Sequence, residues 1–124
     1  MTDYLDFDDL LVVAERILGH APQIRDRGLL DSALHRPRST LFGEESYPDL
    51  DTKAAALLLS LVQNHALLDG NKRLGWVSVR LFYGLNGHDL QAPRGDALTF
   101  VLAIAAGGID DVTAVADTLR AWRT

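Results

Sequence analysis

Residues 51–73 read DTKAAALLLSLVQNHALLDGNKR. The first part is an apolar helical run. Ala54, Leu57, Leu58, Leu61, Val62 and His65 recur at three- and four-residue spacing and share one face. This spacing predicts a central helix that begins near Asp51. The second part, His65-Ala66-Leu67-Leu68-Asp69-Gly70-Asn71-Lys72-Arg73, interrupts it. Asp69-Gly70 breaks the helix, and a new one starts near Gly70, carries Leu74, Val77, Leu81 and Leu85 inward and ends at Asn86-Gly87. A histidine, a carboxylate, a glycine, an amide and two cations therefore fall together between two core helices, a combination that packing does not require.

The rest of the chain is helical in pattern as well. Phe7, Leu10, Leu11, Ala14, Ile17 and Leu18 follow helical spacing, with Asp6 as N-cap, Asp8 and Asp9 in the first turn and Gly19 as the stop. A short helix covers Gly28 to His35 and stops at Pro37. Residues 36–50, with Pro37, Gly43 and Pro48, read as a long loop. A fifth helix runs from about Asp96 to Ala106, closed by Gly107-Gly108. A sixth begins at Asp110 and places Val112, Val115, Ala116 and Leu119 on one face. No strand signal, repeat or linker is present, so the sequence predicts an all-α fold, one compact domain over residues 1–124 with about six helices.

Composition narrows the function. A length of 124 residues suits one core, and a hydrophobic fraction of 48% is that of an ordinary globular chain. Twelve basic against seventeen acidic side chains leave a net charge of −5, which argues against a nucleic-acid-binding surface. The absence of cysteine excludes disulfides, thiolate catalysis and cysteine zinc sites. The acidic start, Met1 to Asp6, lacks a signal-peptide pattern, and the most apolar stretch, Ala54 to Val62, is far short of the roughly 20 residues that span a bilayer. The expectation is a soluble, cytoplasmic protein.

The chemistry of residues 65–73 follows from residue types. His65, at the end of an apolar helix face, should point toward the interior or a cleft; an unperturbed imidazole titrates near neutrality, as a general base needs. The first turn of the helix after Gly70 offers free N–H groups and the positive end of a dipole, an anion site. Gly70 leaves room for a phosphate to approach. Lys72 and Arg73 add positive charge where the dipole is already positive, a cost that a bound polyanion would offset. Asp69 is a hard oxygen ligand beside that site, and one carboxylate plus substrate phosphates is a common way to hold Mg²⁺. The residues alone point to phosphate-group chemistry on a nucleotide, with His65 activating a hydroxyl.

The segment resembles the Fic/Doc family, whose core reads roughly H-x-F-x-[D/E]-G-N-[G/K]-R. His65, Asp69, Gly70, Asn71, Lys72 and Arg73 match it. Ile24 to Leu34 and Tyr47-Pro48-Asp49-Leu50 look like the Doc branch, so the resemblance runs from about residue 8 to residue 90. Fic proteins transfer AMP from ATP to a protein hydroxyl, and usually carry Gly at the position of Lys72 and a second Arg at that of Trp76. The Lys variant marks Doc-like toxins, in which the nucleotide is thought to bind reversed and the γ-phosphate faces the acceptor. The resemblance thus implies an enzyme of protein-kinase type. It implies MgATP as donor, a threonine of translation elongation factor Tu as acceptor, growth arrest as outcome, and an antitoxin whose C-terminal segment covers the groove. It makes His65 the base, Asp69 the Mg²⁺ ligand, and Gly70, Asn71, Lys72 and Arg73 the phosphate binders, with Asp69, Lys72 and Arg73 also catalytic.

The chain departs from the pattern in places. Leu67 stands for the family's Phe and keeps an apolar anchor for the loop, Ala66 replaces Pro or Ile, and Val77 replaces a polar residue near the nucleotide of the founding Doc protein. The self-inhibiting pattern [S/T]-x-x-x-E-[G/N] is incomplete at Thr40 to Glu45. Two other readings compete: adenylyl transfer, and a catalytically idle helical module that only binds a partner. Residues 36–50 could be a plain connection or a flap that pairs with the target. His20, His35 and His88 read as local hydrogen-bonding groups, Trp76 and Phe82 as core, and Trp122 as the residue packing the last helix onto the body.

Overall fold

The computed structural model describes residues 1–124. Six helices carry the chain: α1 (Phe7–Leu18), α2 (Arg27–His35), α3 (Leu50–Gln63), α4 (Asn71–Leu85), α5 (Asp96–Ala105) and α6 (Val112–Trp122). Capping side chains fix most of their starts. Asp6 accepts from the Asp9 N–H while Asp9 accepts from the Asp6 N–H, a reciprocal pair at the head of α1. Asp26, Asp49 and Asp111 cap α2, α3 and α6. Gly19 ends α1 at φ +77 and returns its N–H to the Glu15 carbonyl.

α2 ends at His35, where the sequence places its end ahead of Pro37. The chain then tightens into a 3-10 turn over Arg36–Arg38, with Pro37 buried and free of any need to donate. One expectation about the connections needs correction: residues 36–50 are not strandless. Thr40–Leu41 (β1) and Glu44–Glu45 (β2) form an antiparallel hairpin whose tip, Phe42-Gly43, has positive φ at both residues. Each strand is two residues long, too short to leave an alternating pattern. The hairpin is held from below: Ser46 N–H donates to the Ser39 carbonyl, and the buried Lys53 of α3 donates to Glu45 and to the Tyr47 carbonyl.

The core forms around α3, which is buried along all of its length except Leu50, Thr52 and Gln63. α4 packs most extensively against it, then α6, with the 3-10 turn, α2 and α5 completing the shell. The approach of α3 and α4 is close because of Gly75: a Cβ there would lie 2.7 Å from Val62 Cγ2. That contact sets the rotation of α4. Leu74, Gly75, Ser78, Val79, Phe82 and Tyr83 face inward, whereas Leu81 and Leu85 are exposed, contrary to the inward face that leucine spacing predicts. Trp122 does pack α6 onto the body, meeting Phe100 and Trp76 edge-on at 5.2 and 6.2 Å between ring centroids.

The N-terminal end of α3 carries a buried ionic knot. Asp51 Oδ1 accepts from Tyr83 Oη at 2.8 Å and from Arg123 Nε at 2.9 Å. Its Oδ2 accepts from Arg120 Nε at 3.1 Å and Arg123 Nη2 at 3.2 Å. The knot ties α3, α4 and the chain end into one unit. Burial alone would raise the Asp51 carboxyl, but the hydrogen bonds from Arg123 and Tyr83 and the two guanidinium charges outweigh it and hold it below the usual carboxylate value. Burial, then the bond to Asp51, pushes the Tyr83 phenol far up, so it stays protonated and donating.

Asp51→Asn should therefore lower stability at neutral pH by about 1.5–3 kcal/mol in urea unfolding, the range for hydrogen bonds to a charged group. Because the folded carboxyl sits below its unfolded value of about 3.9, the wild-type advantage should be complete above that pH and vanish as pH falls through the lower folded value. An advantage that persisted unchanged to pH 2 would contradict the ionic account.

Candidate active site

α3 ends just before the sequence motif begins, with only Asn64 between them. Gln63 is its last residue, and Asn64 closes it with an N–H to the Ser60 carbonyl at 3.0 Å. His65 is therefore not on the helix face. It lies in the left-handed region at φ +53 and is exposed. The placement of His65 on the α3 face, and with it the interior direction, is overturned, because helical periodicity holds only as far as the helix does. Ala66 and Leu67 then turn into the core and are buried, so Leu67 provides the apolar anchor. Leu68 and Asp69 return to the surface, and Gly70 at φ +93 starts α4. A Cβ on Gly70 would lie 3.1 Å from Leu18 Cδ2, so backbone conformation and contact with α1 already require glycine.

Two sets of hydrogen bonds hold this reversal. From outside, the segment before α2 runs antiparallel to it, with Ile24 bridged to Leu67. Leu68 N–H donates to the Gln23 carbonyl at 3.0 Å, and the N–H groups of Arg25 and Asp26 converge on the Ala66 carbonyl at 2.8 and 3.1 Å. The Arg25 side chain donates from Nε to the His65 carbonyl at 2.8 Å and from Nη2 to the Asn64 carbonyl at 3.4 Å. From inside, Asn71 clamps Leu67. Its Oδ1 accepts the Leu67 N–H and its Nδ2 donates to the Leu67 carbonyl, both at 2.9 Å. The Asn71 amide is thus committed to the loop, and what Asn71 offers a ligand is its backbone N–H.

The N–H groups of Asn71, Lys72 and Arg73 have no partner, as the first turn of a helix without a capping side chain requires. Lys72 and Arg73 are exposed beside them. Arg73 spends one donor, Nη1, on the Ile17 carbonyl at 3.1 Å, which docks the end of α1 on α4. Lys72 makes no ion pair or hydrogen bond; nor do the Asp69 carboxylate and the His65 imidazole. The turn opens into a groove of about 380 Å³ lined by Ile17, Lys72, Arg73, Trp76, Val77 and Leu98 among others. Trp76 is half-buried and serves the groove as well as the core, whereas Phe82 is wholly core.

The arrangement can hold a polyanion on the first turn of α4, with an apolar body in the groove along the helix. No group of three or more His, Cys, Asp or Glu side chains gathers anywhere, so a metal here would rest on Asp69 with ligand oxygens completing its shell. That suits Mg²⁺, which keeps few protein ligands. His20, His35 and His88 each bond a backbone carbonyl through Nδ1, at 2.9, 2.8 and 2.6 Å. Sequence reasoning missed Arg25 and Lys53. Arg25 acts across about forty residues, and Lys53 through a hairpin that left no strand pattern; Arg25 was visible only as part of the stretch Ile24 to Leu34.

An all-α bundle with a histidine loop leading into an uncapped, glycine-started helix defines a class, and the chain belongs to the Fic/DOC family: the family model matches residues 4–83. It is similar to Toxin Doc of Mycolicibacterium smegmatis (strain ATCC 700084 / mc(2)155), at 49% identity over 92 residues, covering 74% of this chain and 71% of that protein.

Replacing Asn71 with Ala leaves the buried N–H and carbonyl of Leu67 unpaired. It should cost about 1–3 kcal/mol and speed amide exchange at Leu67 selectively. Unchanged exchange at Leu67 would show that the clamp does not hold the loop.

Proposed function

We propose that the chain is the toxin of a toxin–antitoxin pair and transfers the γ-phosphoryl group of ATP to a threonine hydroxyl of a Tu-type elongation factor in the cytoplasm. The toxin reading is supported by the similarity to Toxin Doc. One observation carries the choice of phosphoryl transfer: the groove runs from the cationic turn along α4, away from the loop of His65 and Asp69. A nucleotide with its base in that groove and its phosphates on the N–H groups of Asn71, Lys72 and Arg73 turns its phosphate end, not its nucleoside end, toward the loop. Trp76, where nucleotidylating relatives carry a second Arg, offers the groove an aromatic wall instead of another phosphate contact.

In this reading the unpartnered imidazole of His65 accepts the proton of the incoming threonine hydroxyl. The hydroxyl oxygen bonds to the γ-phosphorus as the bond to the β–γ bridging oxygen breaks, and ADP leaves. The turn at Gly70 to Arg73 holds the phosphates in line, and Lys72, with no competing partner, meets the charge on the transferring group. Arg73 contributes its remaining donors while docking α1. Mg²⁺, when bound at Asp69, neutralises phosphate charge. The hairpin of β1 and β2, with Leu41 and Phe42 exposed at its tip, is the surface assigned to target contact. The antitoxin is assigned to the groove, where an acidic segment with an apolar face would match Lys72 and Arg73.

Mass spectrometry of elongation factor Tu incubated with the protein and MgATP tests the reading. A phosphate on one threonine is expected, slowed about 10²–10⁴-fold by His65→Ala. An adenylyl adduct would establish nucleotidyl transfer instead. No adduct, together with growth arrest undiminished by His65→Ala, would replace catalysis with partner binding.

A further inference from the structure

Resting on the reading of His65 as the base, we infer that Arg25 is a positioning residue that holds the His65 backbone in its left-handed conformation and so sets the angle at which the imidazole meets the acceptor. A non-glycine residue at φ +53 is in a sparsely populated state and persists only where neighbours over-determine it. The ring of His65 contributes nothing to that, being exposed and without a hydrogen-bond partner. The restraint falls on the backbone. Arg25 Nε and Nη2 lie along one edge of the guanidinium and span two successive carbonyls, those of His65 and Asn64. The backbone N–H of the same Arg25 fixes the next carbonyl, Ala66, at 2.8 Å. One residue thus addresses three consecutive peptide groups around the turn.

The side chain is otherwise free. Arg25 is exposed and makes no ion pair, although Asp26 is its neighbour. Its charge sits at the C-terminal end of α3, where the helix dipole favours a cation. A planar fork suits two carbonyls in a way that a lysine ammonium does not. The phosphate turn does not depend on Arg25: Gly70 and the Asn71 clamp hold it from the other side. Losing the side chain should therefore disturb the base while sparing the anion site.

The test compares Arg25→Gln, Arg25→Lys and His65→Ala in the full chain by three readouts: MgATP affinity by calorimetry, the amide and ring resonances of His65 by NMR, and growth arrest at matched expression. Both Arg25 variants should remain folded and bind MgATP within about twofold of wild type. They should show broadened or doubled His65 signals with unchanged Lys72 and Arg73 signals. Growth arrest should weaken as for a transfer rate reduced toward about 10²-fold, the scale of a 1 Å misplacement. Full toxicity of Arg25→Gln beside an inactive His65→Ala overturns the role of Arg25 and leaves the base reading standing. Full toxicity of His65→Ala overturns both. Parallel losses of melting temperature and MgATP affinity in the Arg25 variants would reduce Arg25 to a structural cap and overturn the inference.

Discussion

The reversal between α3 and α4 is the constraint on which the rest depends. α3 is buried nearly all round, so its partner α4 must return against it at the distance that Gly75 and Val62 permit. Residues 64–70 must make that turn with their backbone groups satisfied, because Ala66 and Leu67 are taken out of water. No regular backbone ladder supplies the partners. The Asn71 amide and the Gln23–Asp26 segment do, one from each side. The price of burying the middle of the loop is that its two ends are pushed out, and those ends are His65 and Asp69.

This explains why some of the molecule was legible in the sequence and some was not. Caps were readable because they act within one turn: Asp6 with Asp9, and Gly19 after Leu18. The grouping of His65, Asp69, Gly70, Lys72 and Arg73 was readable because they lie close in the chain. The direction of His65 was not, since helical phase says nothing about where the helix stops. The inward face of α4 was misjudged for a related reason. Leucine spacing favours Leu81 and Leu85, but the helix is rotated by a close glycine contact, and only the partner helix reveals that. Gly70 was assigned to phosphate access, whereas its left-handed φ and the nearness of Leu18 already explain it.

Long-range polar partners were the least visible. Asp51 reads as an ordinary first-turn carboxylate, which favours the helix dipole, yet it gathers Tyr83, Arg120 and Arg123 from elements far along the chain. Lys53 is buried beneath the hairpin, and although its partners Tyr47 and Glu45 are close in the chain, only the hairpin's geometry brings them to it. Arg25 sits in the bridged segment before α2 and reaches forty residues ahead to His65. Each is a charged group whose role is set by geometry that no local pattern encodes.

The distribution of these groups has a physical logic. The ionic knot at Asp51 and the reversal at Asn64–Gly70 sit at opposite ends of α3, a helix of 14 residues and so about 20 Å long. At the first end, charges are paired, bidentate and tied to the chain terminus. At the second, a cation stands unpaired on the positive end of a helix, a histidine holds a disfavoured φ, and three N–H groups lack acceptors. Those features each lower stability where they stand. They persist because the burial of α3 and the knot beyond it stabilise the same helix from its other end. A rigid core helix thus lets an exposed, under-satisfied loop keep one shape, which is what a site that must wait for a polyanion needs.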